Sequence, residues 1–325
     1  MASRLAEFFE PLDGRALLSG PPVVYAPYAP AAIYASPRAA GRWSPVNDFV
    51  YQLQDISLSA IARTRFDLAI IDYSADGSEV GRFSRRQIQA LQRGGAKPEL
   101  VLGYMSIGEA EDYRWYWNSA WDADHDGRPD TVAPSWLGPA DPDWPGNYKV
   151  RYWDANWQAI ARSYLDRIIA AGFDGAYLDV IDAFEYWGPG GESGEDRALA
   201  ANEMIAFVKR LSRHARGRRG DFAVFVQNGE SLGADRSYLS AISGIGREDV
   251  WFTGDRANPP KEVRRTIANL NRFRKAGKTV LCIDYVRRRA NIARFHAIAR
   301  RSGFIPYATV RELDRLTINK GHGPD

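Results

Sequence analysis

A chain of 325 residues, 45 % of them apolar, can bury a sizeable core as one large α/β domain or two ordinary ones. Its 43 Lys and Arg against 40 Asp and Glu leave a net charge of +3 spread over many segments, which argues only weakly for nucleic acid. No apolar run approaches the ~20 residues of a membrane-spanning helix, and the single cysteine, Cys282, excludes an intrachain disulfide and reads as a small core residue.

Residues 1–47 are rich in Pro and Ala and are expected to form an N-terminal arm, partly extended, ahead of one domain over 48–325. The first residues lack the continuous apolar stretch of a signal peptide. Either the chain stays inside the cell or an export segment lies outside this sequence. Short apolar runs then predict strands at 49–54, 68–72, 100–106, 175–179, 223–228, 241–246, 279–284 and 304–308. Helical periodicity fills most of the gaps: 84–93 with Ser84 as N-cap, 157–171 stopped by Gly172, 202–215, 261–276 and 290–302. The Arg-rich stretch from His214 to Arg219 reads as a solvated helix end rather than a phosphate site. Eight β/α units suit a single (β/α)8 TIM barrel. A doubly wound sheet is the rival, but no Gly-rich dinucleotide loop follows the first strand.

One connection is unusually long, roughly fifty residues between the third strand and the next helix. It carries Trp115, Trp117, Trp121, Trp136, Trp144, Trp153 and, at its end, Trp157. Long loops at the C-terminal face of a barrel build binding sites. Flat indole faces pack against pyranose rings; Trp115, Trp117 and Trp187 are the expected stacking residues, and the other tryptophans are expected to form the core of the loop.

Acidic residues gather where strands end. If Asp179 points into the barrel, Tyr177 does too, while Leu178 and Val180 face the helices. Alternation in the fifth strand carries Asn228 and Glu230 on one face, so Glu230 is expected to reach the same rim as Asp179. Two carboxylates across a barrel mouth are the minimal equipment for glycoside hydrolysis, one ionised and one protonated. Glu248, after the sixth strand, competes with Glu230 for the second role. Asp72, Tyr104, Asp182 and Asp284 are further rim candidates for substrate binding, with Glu109, Tyr113 and Asn228 completing the set. The four histidines form no metal-spaced cluster, which disfavours zinc or Ser-His-Asp chemistry.

Within the long loop, Asp122, Asp124 and Asp126 before Gly127, with Asp130 following, repeat the start of a calcium loop. The twelfth position holds Ala133 instead of a bidentate Glu, so a structural calcium and a solvated acidic turn both stay open. No cofactor is otherwise expected.

Four separated stretches occur in order: Gly103-Tyr104-Met105-Ser106-Ile107-Gly108-Glu109-Ala110-Glu111-Asp112-Tyr113-Arg114, Trp144-Pro145-Gly146-Asn147-Tyr148, Val150-Arg151-Tyr152-Trp153-Asp154, and Phe173-Asp174-Gly175-Ala176-Tyr177-Leu178-Asp179 with Asp182-Ala183-Phe184-Glu185-Tyr186-Trp187. Together they resemble glycoside hydrolase family 114, the endo-α-1,4-polygalactosaminidase family of (β/α)8 barrels. The resemblance implies an endo-acting hydrolase of galactosaminogalactan-like polymers. It matches Asp179 to the family's nucleophile and Glu230 to its general acid/base, with Glu248 as second choice. The family is often exported. A deacetylated amino-sugar polymer carries ammonium groups, which Glu109, Glu111, Asp182 and Asp284 are expected to bind. The expected partner is therefore a polysaccharide, not nucleic acid or membrane, and the chain is expected to act as a monomer. The competing reading is a non-catalytic carbohydrate-binding barrel, separable by comparing polymer binding with release of reducing ends. An RNA-associated protein would need basic residues interleaved with exposed aromatics, whereas here the aromatics lie with acids.

Overall fold

The eight apolar runs pair in parallel: β1 (Phe49–Gln52), β2 (Leu68–Asp72), β3 (Leu100–Ser106), β4 (Gly175–Asp179), β5 (Ala223–Gln227), β6 (Gly244–Glu248), β7 (Thr279–Asp284) and β8 (Ile305–Ala308). The computed structural model describes residues 46–93 and 100–324, so the expected N-terminal arm lies outside the described residues apart from its last two. The strands form one sheet in chain order. β8 returns beside β1, with the Phe49 and Tyr307 rings 5.3 Å apart, so the sheet curls into a nearly closed (β/α)8 barrel.

Helices α1 (Leu58–Ile61), α2 (Arg85–Arg93), α3 (Ala155–Ala171), α4 (Ala183–Trp187), α5 (Ala200–Arg218), α6 (Arg236–Ala241), α7 (Pro260–Lys275) and α8 (Arg289–Arg301) alternate with the strands. The starts and stops have local causes. Ser84 and Gln87 make a reciprocal capping box ahead of α2, with Gln87 N–H donating to Ser84 Oγ at 3.3 Å and Ser84 N–H to Gln87 Oε1 at 2.8 Å. Asp154 caps α3, and Gly172 ends it at φ 90°, a left-handed conformation that suits glycine. α3 buries Trp157, Ala161, Tyr164, Leu165 and Ile168, one helical stripe against the sheet. The Arg-rich end of α5 anchors to the barrel: Arg219 donates to Phe173 O at 2.6 Å and to Asp174 at 2.9 Å. No helix among the described residues is long and apolar enough to cross a membrane.

β2, β3, β4 and β7 fall where the apolar runs predict. β6 does not: α6 runs on through Ala241, and the strand starts at Gly244 and ends on Glu248. The glycines flanking Ile245 explain the shift. Inside the barrel the Tyr177 hydroxyl donates to the Gln227 side chain, and a Cβ on Gly246 would collide with that hydroxyl. β6 therefore passes the barrel axis as a glycine-bearing strand.

The long connection, residues 107–154, is not irregular. It holds a three-stranded antiparallel sheet of Glu109–Glu111, Asn147–Val150 and Leu137–Ala140. Its tryptophans pack in series, Trp117 to Trp121 (5.2 Å), Trp121 to Trp136 (5.3 Å) and Trp136 to Trp157 of α3 (5.0 Å). The Trp157 indole N–H donates to Ile107 O at 2.8 Å, pinning the loop's first residue to α3.

Gly246→Ala is expected to destabilise the fold by roughly 1–3 kcal/mol, the cost of overpacking a filled interior. A lowered urea midpoint with unchanged slope would show it; an unchanged midpoint would mean the Tyr177–Gln227 pair yields without cost.

Candidate active site

A cleft of about 750 Å³ opens at the C-terminal ends of the strands, and Asp72, Tyr104, Asp179 and Glu248 line it from β2, β3, β4 and β6. Three consecutive strands leave their last residue through the left-handed region: Val180 (φ 58°) after β4, Asn228 (φ 63°) after β5 and Asp249 (φ 49°) after β6. A β-branched residue there is strained by roughly 1–3 kcal/mol. The turn at Val180 brings its own N–H back to donate to Asp179 Oδ1 at 2.6 Å, while the Tyr104 hydroxyl donates to Oδ2 at 2.9 Å. Burial pushes the Asp179 carboxyl well above its usual range, and the charge of Glu248 pushes it further in the same direction; the Val180 and Tyr104 donors oppose both. Glu248 accepts from the Tyr285 hydroxyl on one oxygen and from Asn228 Nδ2 at 3.3 Å on the other.

Glu230 does not line this cleft. Alternation would have carried it to the rim, but Asn228 and Gly229 are both left-handed and turn the chain into a short 3-10 segment, Glu230–Ala234. There Glu230 pairs with Arg247 at 3.0 Å. Arg247 in turn donates to Asn228 Oδ1 at 3.2 Å and to the Glu248 carbonyl at 2.6 Å, so Glu230 reaches the cleft only through Arg247. The structure thus brings together Asp179 and Glu248 rather than Asp179 and Glu230.

The other acids divide by partner. Arg114, with no solvent-exposed side chain, spans two carboxylates: it donates to Asp72 at 2.6 and 3.0 Å and to Glu111 at 2.8 and 3.0 Å. Tyr113 donates its hydroxyl to the same Glu111 and leaves its ring half exposed (47 %) in the cleft. Gly77, at φ 81°, lies directly against that ring, where a Cβ would overlap it. Lys149 bridges Glu109 (2.6 Å) and Asp141 (2.5 Å), and burial still raises Glu109 to about 7. Asp284 leaves the cleft altogether. Fully buried, it accepts from the backbone N–H of Val250 (2.7 Å), Trp251 (3.1 Å) and Phe252 (3.0 Å), which folds the chain after β6 and takes up the oxygens expected to bind substrate. Asp182 lines the cleft at the start of α4 and makes no capping hydrogen bond.

Trp115 and Trp187 are likewise absent from the cleft. Arg167 stacks on Trp115 at 3.5 Å, and Trp187 packs edge-on against Trp153 with Arg151 over its ring. The cleft aromatics are Tyr51, Tyr104, Tyr113, Trp144, Tyr186 and Tyr285. Sequence reasoning passed over Trp144, Lys149, Arg247 and Tyr285. Tyr285 had a signal, since it follows the last residue of β7 as Val180 follows β4. Asp122, Asp124 and Asp126 bring one carboxylate oxygen each within 4.8 Å of one another, but Asp122 already accepts from Asp126 N and Gly127 N at 3.1 Å and from Tyr148. Asp130 turns onto Ala123 N at 2.8 Å, away from the group.

Residues 32–322 match the model of glycoside-hydrolase family GH114. An uncharacterized protein of Thermotoga maritima is 38 % identical over 295 residues, 87 % of each chain. Uncharacterized protein MJ1477 of Methanocaldococcus jannaschii is 38 % identical over 281 residues, 82 % of this chain and 77 % of its own. Among solved structures, the glycoside hydrolase domain of PelA from Pseudomonas aeruginosa superposes with a TM-score of 0.61 at 16 % identity, covering 84 % of this chain and 98 % of that one. Ega3 of Aspergillus fumigatus, in complex with galactosamine, gives 0.62 at 19 % identity over 84 % and 95 %. At these identities the structural likeness is one of fold.

Arg114→Met would leave Asp72 and Glu111 buried without their cation, an expected loss of roughly 3–5 kcal/mol at pH 7. The loss should shrink as the pH falls and Asp72, which burial raises, takes up a proton. Urea denaturation at pH 7 and pH 5 reads both effects; a pH-independent loss would mean the guanidinium contributes packing alone.

Proposed function

This chain belongs to glycoside-hydrolase family GH114, and on that premise we propose that it cleaves an α-1,4-linked, galactosamine-containing polysaccharide internally, by a retaining two-carboxylate mechanism. The observation that carries the reading is the Asp179–Glu248 pair, two carboxyls from β4 and β6 that line one cleft and act on each other electrostatically. Two such groups acting on each other favour holding one proton between them. The mechanism needs an ionised Asp179, and the Tyr104 hydroxyl and Val180 N–H favour that form against burial, which raises the carboxyl most. Asp179 then attacks the anomeric carbon as Glu248 protonates the leaving oxygen. In the second step Glu248 takes a proton from water, which opens the glycosyl-enzyme ester.

The substrate class is supported by charge. In a protein of net charge +3, ten carboxyl side chains line the cleft beside Lys149 and Arg311, with Arg114 behind Asp72 and Glu111. Such a field favours a cationic polymer, and the fold relative Ega3 binds galactosamine. Tyr113 and Trp144, half exposed in the cleft, offer two aromatic faces on which sugars can stack, as gripping the interior of a chain requires.

Reducing-end release from galactosaminogalactan, its deacetylated form, chitosan and a neutral galactan tests this. Wild type should act on an amino-sugar polymer. Asp179→Asn should abolish turnover, Glu248→Gln should lose roughly 10²–10⁴-fold, and Glu230→Gln should stay within about tenfold of wild type because its link to Glu248 is indirect. A dead Glu230→Gln beside an active Glu248→Gln would refute the pairing, and binding without release from any polymer would favour a non-catalytic barrel.

The pH profile gives a separate test. The nucleophile works ionised, so activity falls as pH drops through the raised pKa of Asp179, above the ordinary carboxylate range. Tyr104→Phe removes a donor that favours the ionised form. The acid limb of kcat/KM should therefore move to higher pH; no movement, or movement downward, would remove Tyr104 from this role.

A further inference from the structure

Four carboxylates were candidates for holding the ammonium groups of an amino-sugar polymer, and the structure commits three of them elsewhere. Glu111 shares the Arg114 guanidinium with Asp72, and Glu109 shares the Lys149 ammonium with Asp141. Asp284 is used up by three backbone N–H groups. Asp182 differs. It lines the cleft three residues beyond Asp179, at the first turn of α4, yet its side chain caps nothing and makes no hydrogen bond or ion pair to another of the described residues. α4 itself cannot supply a counter-charge there, because its first turn carries Glu185.

The groups around Asp182 leave it short of positive charge. Asp179 and Glu248 lie within its electrostatic reach, as does Glu185. The one cation acting on it, Arg247, is already engaged by Glu230, Asn228 and the Glu248 carbonyl. Burial without a partner raises Asp182 to about 6. At neutral pH it is still mostly ionised, and Arg247, the cation acting on it among the described residues, is shared with Glu230. A protonated amine would offset the Asp182 charge with charge-assisted hydrogen bonds, whereas an acetamide brings no charge and occupies more volume.

We propose that Asp182 is the residue that distinguishes a free 2-amino sugar from its N-acetylated form, by receiving the ammonium of a sugar bound next to the reacting pair. This inference rests on the hydrolase reading given above and adds to it the residue that sets acetylation preference.

The test is the kcat and KM of wild type and Asp182→Asn on fully deacetylated polygalactosamine and on the same polymer re-N-acetylated. Wild type should prefer the deacetylated polymer. Asp182→Asn should raise the KM for the deacetylated polymer at least tenfold relative to that for the acetylated one, collapsing the preference toward unity whatever change in kcat the two polymers share through Asp179. An unchanged preference would overturn the proposal. Should Asp182→Asn fail to fold, judged by melting, Asp182→Ser takes its place with the same expectation. If wild type releases reducing ends from neither polymer, the hydrolase reading fails, and calorimetric titration with galactosamine oligomers still decides the site. Affinity weakened tenfold in Asp182→Asn supports it, and equal affinity refutes it.

Discussion

Arg114 donates four hydrogen bonds from one guanidinium to two buried carboxylates, Asp72 at the end of β2 and Glu111 in the small antiparallel sheet. Neither acid could be buried alone, since a desolvated charge is tolerated only when paired and hydrogen-bonded. The pairing therefore ties the long excursion after β3 to the barrel rim at one fixed point. Tyr73, Tyr113 and Tyr164 close around the guanidinium within 5.6 Å, so the cation sits in an aromatic cage. From that anchor follow the seat of Tyr113 in the cleft, the antiparallel sheet bearing Glu109 and Lys149, and the path of the tryptophan-packed loop.

On the opposite side of the mouth the chain takes another route to the same end. Asp179 and Glu248 have no buried cation between them. Their electrostatic tension is moderated by hydroxyl donors, Tyr104 on one and Tyr285 on the other, and by backbone made available through left-handed turns. Paired acids at one wall thus share a buried guanidinium, and the acids at the other face each other with hydroxyl donors instead. The division comes from where the protein puts its arginines.

Much of this was legible beforehand. Apolar runs bounded by polar residues located β2, β3, β4 and β7 to the residue, and alternation placed Tyr177 in the barrel and Asp179 in the cleft. The failures share a cause. Alternation holds only while the backbone is extended, and it was carried past the end of β5, where Asn228 and Gly229 reverse the chain and take Glu230 away. β6 was read three residues early because Ile242 and Ile245 fit either register, so Glu248 looked like a loop residue instead of the strand's last. Trp115 and Trp187 were judged by proximity to strand ends, but their large faces are claimed by Arg167, Arg151 and neighbouring rings. Pattern reveals which side chains can reach a mouth; it does not reveal which are already spoken for by a buried partner, as Asp284 is.

Of the nine described tryptophans, Trp144 alone lines the cleft. The others are packed in the loop core, beneath arginines or against the outer helices, out of the cleft lining. The intrinsic fluorescence of these tryptophans therefore divides into a constant background and one indole that senses occupancy of the cleft. The packing that withdrew the other described indoles from the cleft leaves Trp144 as the optical reporter of what enters it.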